Sequence, residues 1–171
     1  MKIKNYFLKI IYEIYNFFPY SNSKLNLGQY KIRYYVAKEL CLECSYPVTI
    51  GKSLKINWGR VKIGQSSGLG NYSKIEGATI GKNVMMGEYC RIYSRNHKYK
   101  NKDLLIQEQG YTLENIVIIN DDVWIGDNVT ILPGVEIGEG VVIGTGSVVT
   151  KNLSPYKVYA GNPVREVAIR K

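Results

Sequence analysis

The sequence predicts an all-β solenoid of short stacked strands, preceded by a helical segment and interrupted by one protruding loop. Three observations carry this. An aliphatic residue recurs every six positions through the C-terminal half, the same spacing appears upstream in shorter runs, and between the two the period lapses for longer than a turn needs.

From Ile119 the row continues through Ile125, Ile131, Ile137, Ile143 and Val149, and a second row runs two residues ahead through Val117, Val123, Val129, Val135 and Val141. Six is a multiple of the strand period of two and a poor match to 3.6, so a row held in one phase argues for strands. A fixed short period of this kind marks a solenoid. Ile80, Met86 and Ile92 repeat the spacing, as do Ile63, Leu69 and Ile75, with Ile50 and Ile56 before them. The steps from Ile56 to Ile63 and from Ile75 to Ile80 are single-residue slips that a turn absorbs. One solenoid over residues 46–155 follows. With three flat faces it uses about eighteen residues per coil, giving about four to five coils that each rise roughly 4.8 Å.

Residues 1–45 are expected to be helical and residues 156–171 to form a tail. Tyr6, Phe7, Leu8, Ile10, Ile11, Ile14, Phe17 and Phe18 are interrupted by Lys4, Lys9 and Glu13, which argues against a membrane span. No small-residue cleavage site marks a secretory signal. The pattern predicts a helix ending at Pro19 and a second short helix over residues 30–40. Two roles stand open for residues 1–20. The helix caps the first coil, as solenoids require, or it lies on a membrane surface, since aromatics flanked by lysine suit a headgroup layer.

The chain carries 23 Lys and Arg against 14 Asp and Glu, a formal net charge of +9. Such a balance suggests an anionic partner, whether a phosphate-bearing cofactor, an acidic polysaccharide or a membrane surface. The basic residues are scattered and no recognised motif accompanies them, so nucleic acid is not expected. Cys90 falls two residues before Ile92 on the inward side and reads as a small core residue. Cys41 and Cys44 form a C-x-x-C with no second pair, and His97 is the only histidine. A zinc site would lack ligands, so no metal is expected. Three thiols without a disulfide framework fit a reducing, cytoplasmic compartment.

The period lapses between Ile92 and Ile119, and extending the two grids toward each other confines the excursion to residues 98–112. Asn96, His97, Lys98 and Tyr99 stand at its mouth. Long loops in compact domains tend to be functional, and the chain's one imidazole sits where this loop leaves the rigid prism. That position makes His97 the candidate catalytic group.

At these residues the chain resembles the hexapeptide-repeat acyltransferases, among them the galactoside, maltose and serine acetyltransferases and, more closely, the capsular and O-antigen sugar O-acetyltransferases. The resemblance is carried by Asp121-Asp122-Val123-Trp124-Ile125-Gly126, Ile131-Leu132-Pro133-Gly134-Val135, Val142-Ile143-Gly144, Gly146-Ser147-Val148-Val149-Thr150-Lys151 and Ala160-Gly161-Asn162-Pro163. It implies a left-handed parallel β-helix, a homotrimer, and acetyl-CoA held in a groove between neighbouring prisms. His97 matches the family's general base and Trp124 a residue lining the acyl and acceptor end of the groove. Gly126, Thr145, Thr150 and Lys151 fall where the family contacts the cofactor, and Arg165 matches a basic residue near its adenosine end. Asn71-Tyr72 resembles an Asn-Phe pair that helps fix the acceptor, at a spacing that differs by several residues. The N-terminal segment does not match the acceptor-binding head of the maltose enzymes.

The expected function is acetyl-CoA-dependent O-acetylation of a sugar hydroxyl in surface polysaccharide synthesis, in the cytoplasm or at the inner face of its membrane. A neutral imidazole is matched to removing the hydroxyl proton. Glu108, Glu114 or a backbone carbonyl is left to orient it. Tyr93, Tyr99 and Tyr111 flank the loop and are candidates to stack on a saccharide acceptor, with ordinary packing as the alternative. N-acetylation of an amino sugar, serine O-acetylation and a non-catalytic scaffold are the competing readings.

Overall fold

The structure, a computed structural model, describes residues 2–17 and 29–171. Each coil of the solenoid contributes one short strand to each of three faces. The first coil holds β1 (Glu43–Cys44), β2 (Val48–Ile50) and β3 (Lys55–Ile56), and the second β4 (Val61–Ile63), β5 (Ser67–Leu69) and β6 (Lys74–Ile75). The third holds β7 (Ala78–Ile80), β8 (Met85–Met86) and β9 (Arg91–Ile92), and the fourth β10 (Val117–Ile119), β11 (Trp124–Ile125) and β12 (Thr130–Ile131). The fifth holds β13 (Glu136–Ile137), β14 (Val142–Ile143) and β15 (Val148–Val149). The first face therefore runs β1-β4-β7-β10-β13 and the third β3-β6-β9-β12-β15. The second face continues past β14 into β16 (Lys157–Ala160), with β17 (Arg165–Ile169) folded back antiparallel on it.

The six-residue rows are the inward positions of these strands. Ile63, Ile80, Ile119 and Ile137 stack in register on the first face, and Ile56, Ile75, Ile92, Ile131 and Val149 on the third. Nearly all are fully buried, at roughly 1.5–3 kcal/mol for each aliphatic side chain. Five complete coils and part of a sixth are present, against an expected four to five. The extra turn is concealed in the sequence because Leu153 and Tyr159 take its inward positions in place of the periodic Ile and Val, as Cys44 does in the first coil. Both slips lie at the edge between the third and first faces. A 3-10 turn over Trp58–Arg60 fills the longer one, and the tight corner Glu76-Gly77 makes the shorter.

Helix α1 (Lys2–Tyr15) is followed, beyond an intervening segment, by α2 (Gln29–Leu40), which packs against β2. Phe18, Pro19 and Tyr20, where the first helix was expected to end, lie outside the described residues. Tyr12 ties α1 to the first coil. Its hydroxyl accepts a hydrogen bond from the Leu54 N–H (3.0 Å) and donates to the Gly51 carbonyl (3.4 Å), and its ring meets Trp58 edge-on at 5.1 Å. Burial holds that phenol in its protonated form, its pKa raised well above the usual value. The opposite side of the segment is exposed and apolar, comprising Ile3, Tyr6, Phe7, Ile10, Ile11, Ile14 and Phe17. Among the described residues no helix is long and apolar enough to cross a membrane.

Candidate active site

The loop leaves the third face after β9 and rejoins the first face at β10, so it springs from the edge between them. Its root is pinned by a charged cluster. The Ser94 hydroxyl donates to Glu114 (2.9 Å), Arg60 pairs with the same carboxylate, and the Ser94 N–H donates to Glu76 (3.3 Å). Glu114, one of the groups left open as an orienter of the histidine, is thus committed to the loop base. The neck is closed by an antiparallel bridge between His97 and Tyr111, flanked by bonds from the Lys98 N–H to the Gly110 carbonyl (2.9 Å) and from the Thr112 N–H to the Asn96 carbonyl (2.8 Å). Farther out, Gln109 ties Asn101 and Leu104 across the tip, around a 3-10 turn over Ile106–Glu108. Ordered hydrogen bonding therefore runs from root to tip.

The His97 ring is exposed and lies 4.2 Å from the Tyr111 ring, centroid to centroid, with the Arg95 guanidinium 4.3 Å from the same tyrosine. Among the described residues none hydrogen-bonds the imidazole. It opens on a shallow, largely solvent-open depression bordered by Leu104, Leu105, Ile106 and Gln107. Tyr99, just beyond it in the loop, is exposed.

The remaining predicted residues fall into separate groups. Trp124 projects from the middle of the second face, 53% exposed, directly beside the outward Met85 of the preceding coil. Gly126 and Thr145 follow at the edge between the second and third faces, on the fourth and fifth coils. A Cβ on Gly126 would meet the Thr145 amide nitrogen at 2.7 Å, so this corner requires glycine for the coils to close up. Asn71 and Tyr72 occupy the same edge on the second coil. The Asn71 side chain is used within the ladder, accepting from the Lys52 N–H (2.7 Å) and donating to Glu88 (2.6 Å). Thr150 and Lys151 stand on the His97 edge two coils beyond the loop, and Arg165 opens β17. Both cations are exposed, and among the described residues neither has a carboxylate partner.

Met85 escaped the sequence reading because the loop insertion separates it from Trp124 by far more than one coil length. Counting inward positions on each side of the loop would have paired them. The cysteines are chemically quiet. Burial pushes the Cys41 thiol up to about 12 and the Cys44 and Cys90 thiols up to about 11, so little thiolate exists at neutral pH. Among the described residues no group of three or more His, Cys, Asp or Glu is arranged to hold a metal.

The family described as Bacterial transferase hexapeptide (six repeats) matches residues 116–151. A maltose O-acetyltransferase from Clostridium difficile 630 is 28% identical, covers 98% of this chain and 86% of its own, and superposes with a TM-score of 0.80. The hexapeptide-repeat acetyltransferase VCA0836 from Vibrio cholerae, solved with acetyl coenzyme A, is 24% identical over 96% of this chain and 87% of its own, at a TM-score of 0.76. A variant of AntD, an N-acyltransferase from Bacillus cereus, is 27% identical over 72% of this chain and 81% of its own, at 0.55. Over residues 116–151 the chain carries the hexapeptide repeat of bacterial transferases, and its likeness to an acetyltransferase over nearly its whole length makes it an acyltransferase built on a three-faced parallel β-solenoid.

Proposed function

We propose that this protein is an acetyl-CoA-dependent O-acetyltransferase that modifies a sugar hydroxyl in the synthesis of capsule or O-antigen. The observation that carries the reading is the exposed imidazole of His97, held at the edge of the prism and open to a shallow apolar depression, while the nearby Glu114 is tied to Arg60 and Ser94. A sugar hydroxyl is a weak nucleophile at neutral pH. His97 takes its proton as the oxygen attacks and returns that proton to the departing thiol. Acetyl-CoA supplies the activated acyl group, as a thioester. The residues present suit it chemically. Thr145 and Thr150 offer hydroxyls to amide groups, Lys151 and Arg165 are cations without carboxylate partners among the described residues, and Gly126 and Trp124 flank the acyl end. Asn71, Tyr72 and Tyr99 are assigned to the acceptor.

The site is shared between copies in a homotrimer. His97 and Trp124 belong to different sides of one prism, and a closed three-fold arrangement sets the histidine edge of one copy against the tryptophan face of the next. The open apolar side of α1, with Lys4 and Lys9 beside it, supports peripheral contact with the cytoplasmic face of an anionic membrane, where lipid-linked acceptors would lie. Acyl transfer to an amino sugar is the second reading, favoured by the likeness to AntD. CoA release measured across maltose, other sugars, amino sugars, serine and chloramphenicol tests the proposal. Turnover on a hydroxyl sugar supports it, and turnover confined to amines or serine contradicts it.

A further inference from the structure

At the edge between the second and third faces, successive coils turn through a residue of positive φ: Ser53 (53°), Tyr72 (58°), Tyr89 (57°), Asn128 (57°) and Gly146 (74°). Serine, asparagine and glycine suit this left-handed conformation, whereas a bulky side chain there is an outlier. Two consecutive coils nevertheless carry tyrosine. Tyr156, at positive φ elsewhere, donates its hydroxyl to Glu139 (2.7 Å) and is accounted for by that bond. Tyr72 and Tyr89 stack on each other, with centroids 5.1 Å apart and planes inclined by 15°. The stack stops at Tyr89, which is 44% exposed, because the next coil offers Asn128 at the equivalent corner and no further ring.

Carboxylates border the exposed tyrosine. Glu88 accepts from the Asn71 amide through Oε1 (2.6 Å), and Asp127 accepts from the Glu88 N–H through Oδ1 (2.8 Å). Among the described residues no hydrogen bond reaches Glu88 Oε2 or Asp127 Oδ2. Backbone strain, an open aromatic face and two spare acceptor oxygens thus coincide on one edge, in line with Gly126 and Thr145 on the following coils. Strain kept at an exposed position points to function.

The geometry points to a saccharide platform: a neutral pyranose lays its C–H face on Tyr89, backed by Tyr72, and donates hydroxyls to Glu88 and Asp127. The aromatic face carries partial negative charge that attracts polarised C–H groups, and a carboxylate accepts two hydroxyl donors. The same carboxylates repel an acidic sugar, which sets the subsite's specificity. That the bound sugar is the acyl acceptor rests on the acyltransferase reading; its binding does not.

Saturation-transfer NMR on the full chain, with maltose, lactose and N-acetylglucosamine as probes and glucuronic acid as the acidic comparator, tests the platform. Wild type is expected to transfer saturation to the C–H protons of at least one neutral sugar and at least about tenfold less to glucuronic acid. Tyr89→Asn suits the left-handed corner and keeps the fold, checked by its Tm, and is expected to lose the sugar signal while acetyl-CoA binding stays unchanged. Tyr89→Phe retains the ring and is expected to retain the signal. A sugar signal surviving in Tyr89→Asn, no signal from any neutral sugar with wild type, or equal binding of glucuronic acid overturns the platform. Sugar bound at Tyr89 without any acetyl transfer leaves the platform standing and removes the acceptor role instead.

Discussion

His97 and Trp124 lie on opposite sides of the same prism, the histidine at the edge between the first and third faces and the tryptophan in the middle of the second. Chemistry that uses both therefore draws one of them from another copy. Co-expressed His97→Ala and Trp124→Ala chains should regain activity that neither has alone. With random assembly about a quarter of the shared sites combine an intact histidine edge with an intact tryptophan face. Turnover of the mixed, co-purified assembly checks this, and no gain over the separate variants refutes sharing.

The aliphatic rows set the stability. Ile131→Ala empties a fully buried position between Ile92 and Val149 and should cost about 2–5 kcal/mol in denaturant unfolding. Gly126→Ala forces a Cβ against the Thr145 backbone and should cost about 1–3 kcal/mol. An unfolding midpoint within error of wild type for either contradicts the packing described.

Most of the fold was legible because a buried strand row repeats with the coil, so Ile119 to Val149 declares its own geometry. The first and sixth coils were harder to read, since Cys44, Leu153 and Tyr159 fill inward positions without repeating a residue type. His97 stood out through its place at the break in the period. The commitment of Glu114 to Arg60 did not, because it joins side chains from different coils whose sequence separation carries no signal. The Tyr72–Tyr89 stack was hidden for a related reason, as corner residues obey no hydrophobic period.

Alkali should destabilise the fold from about pH 9 upward. The folded thiol pKa values are raised above their ordinary value of 9.0, to about 12 at Cys41 and about 11 at Cys44 and Cys90. Between those limits the unfolded chain has lost protons that the folded chain still holds, so stability falls as pH rises. Tyr12, also raised, extends the fall above pH 10. Tm measured from pH 7 to 11 should be flat and then decline, with Cys90→Ala shallower. A flat profile to pH 11 contradicts the burial of these groups.

The apolar side of α1 should bind membranes. Phe7→Asp with Ile14→Asp alters exposed positions only, and is expected to abolish salt-sensitive sedimentation with vesicles containing phosphatidylserine while leaving Tm within about 1 °C of wild type. Equal sedimentation of variant and wild type, or none by wild type at low salt, removes the membrane role.

Steady-state turnover of His97→Ala, with acetyl-CoA affinity measured on the same preparation, tests general-base catalysis most directly. The account predicts kcat lower by roughly 10²- to 10⁴-fold with acetyl-CoA affinity nearly unchanged; turnover within a few-fold of wild type contradicts it.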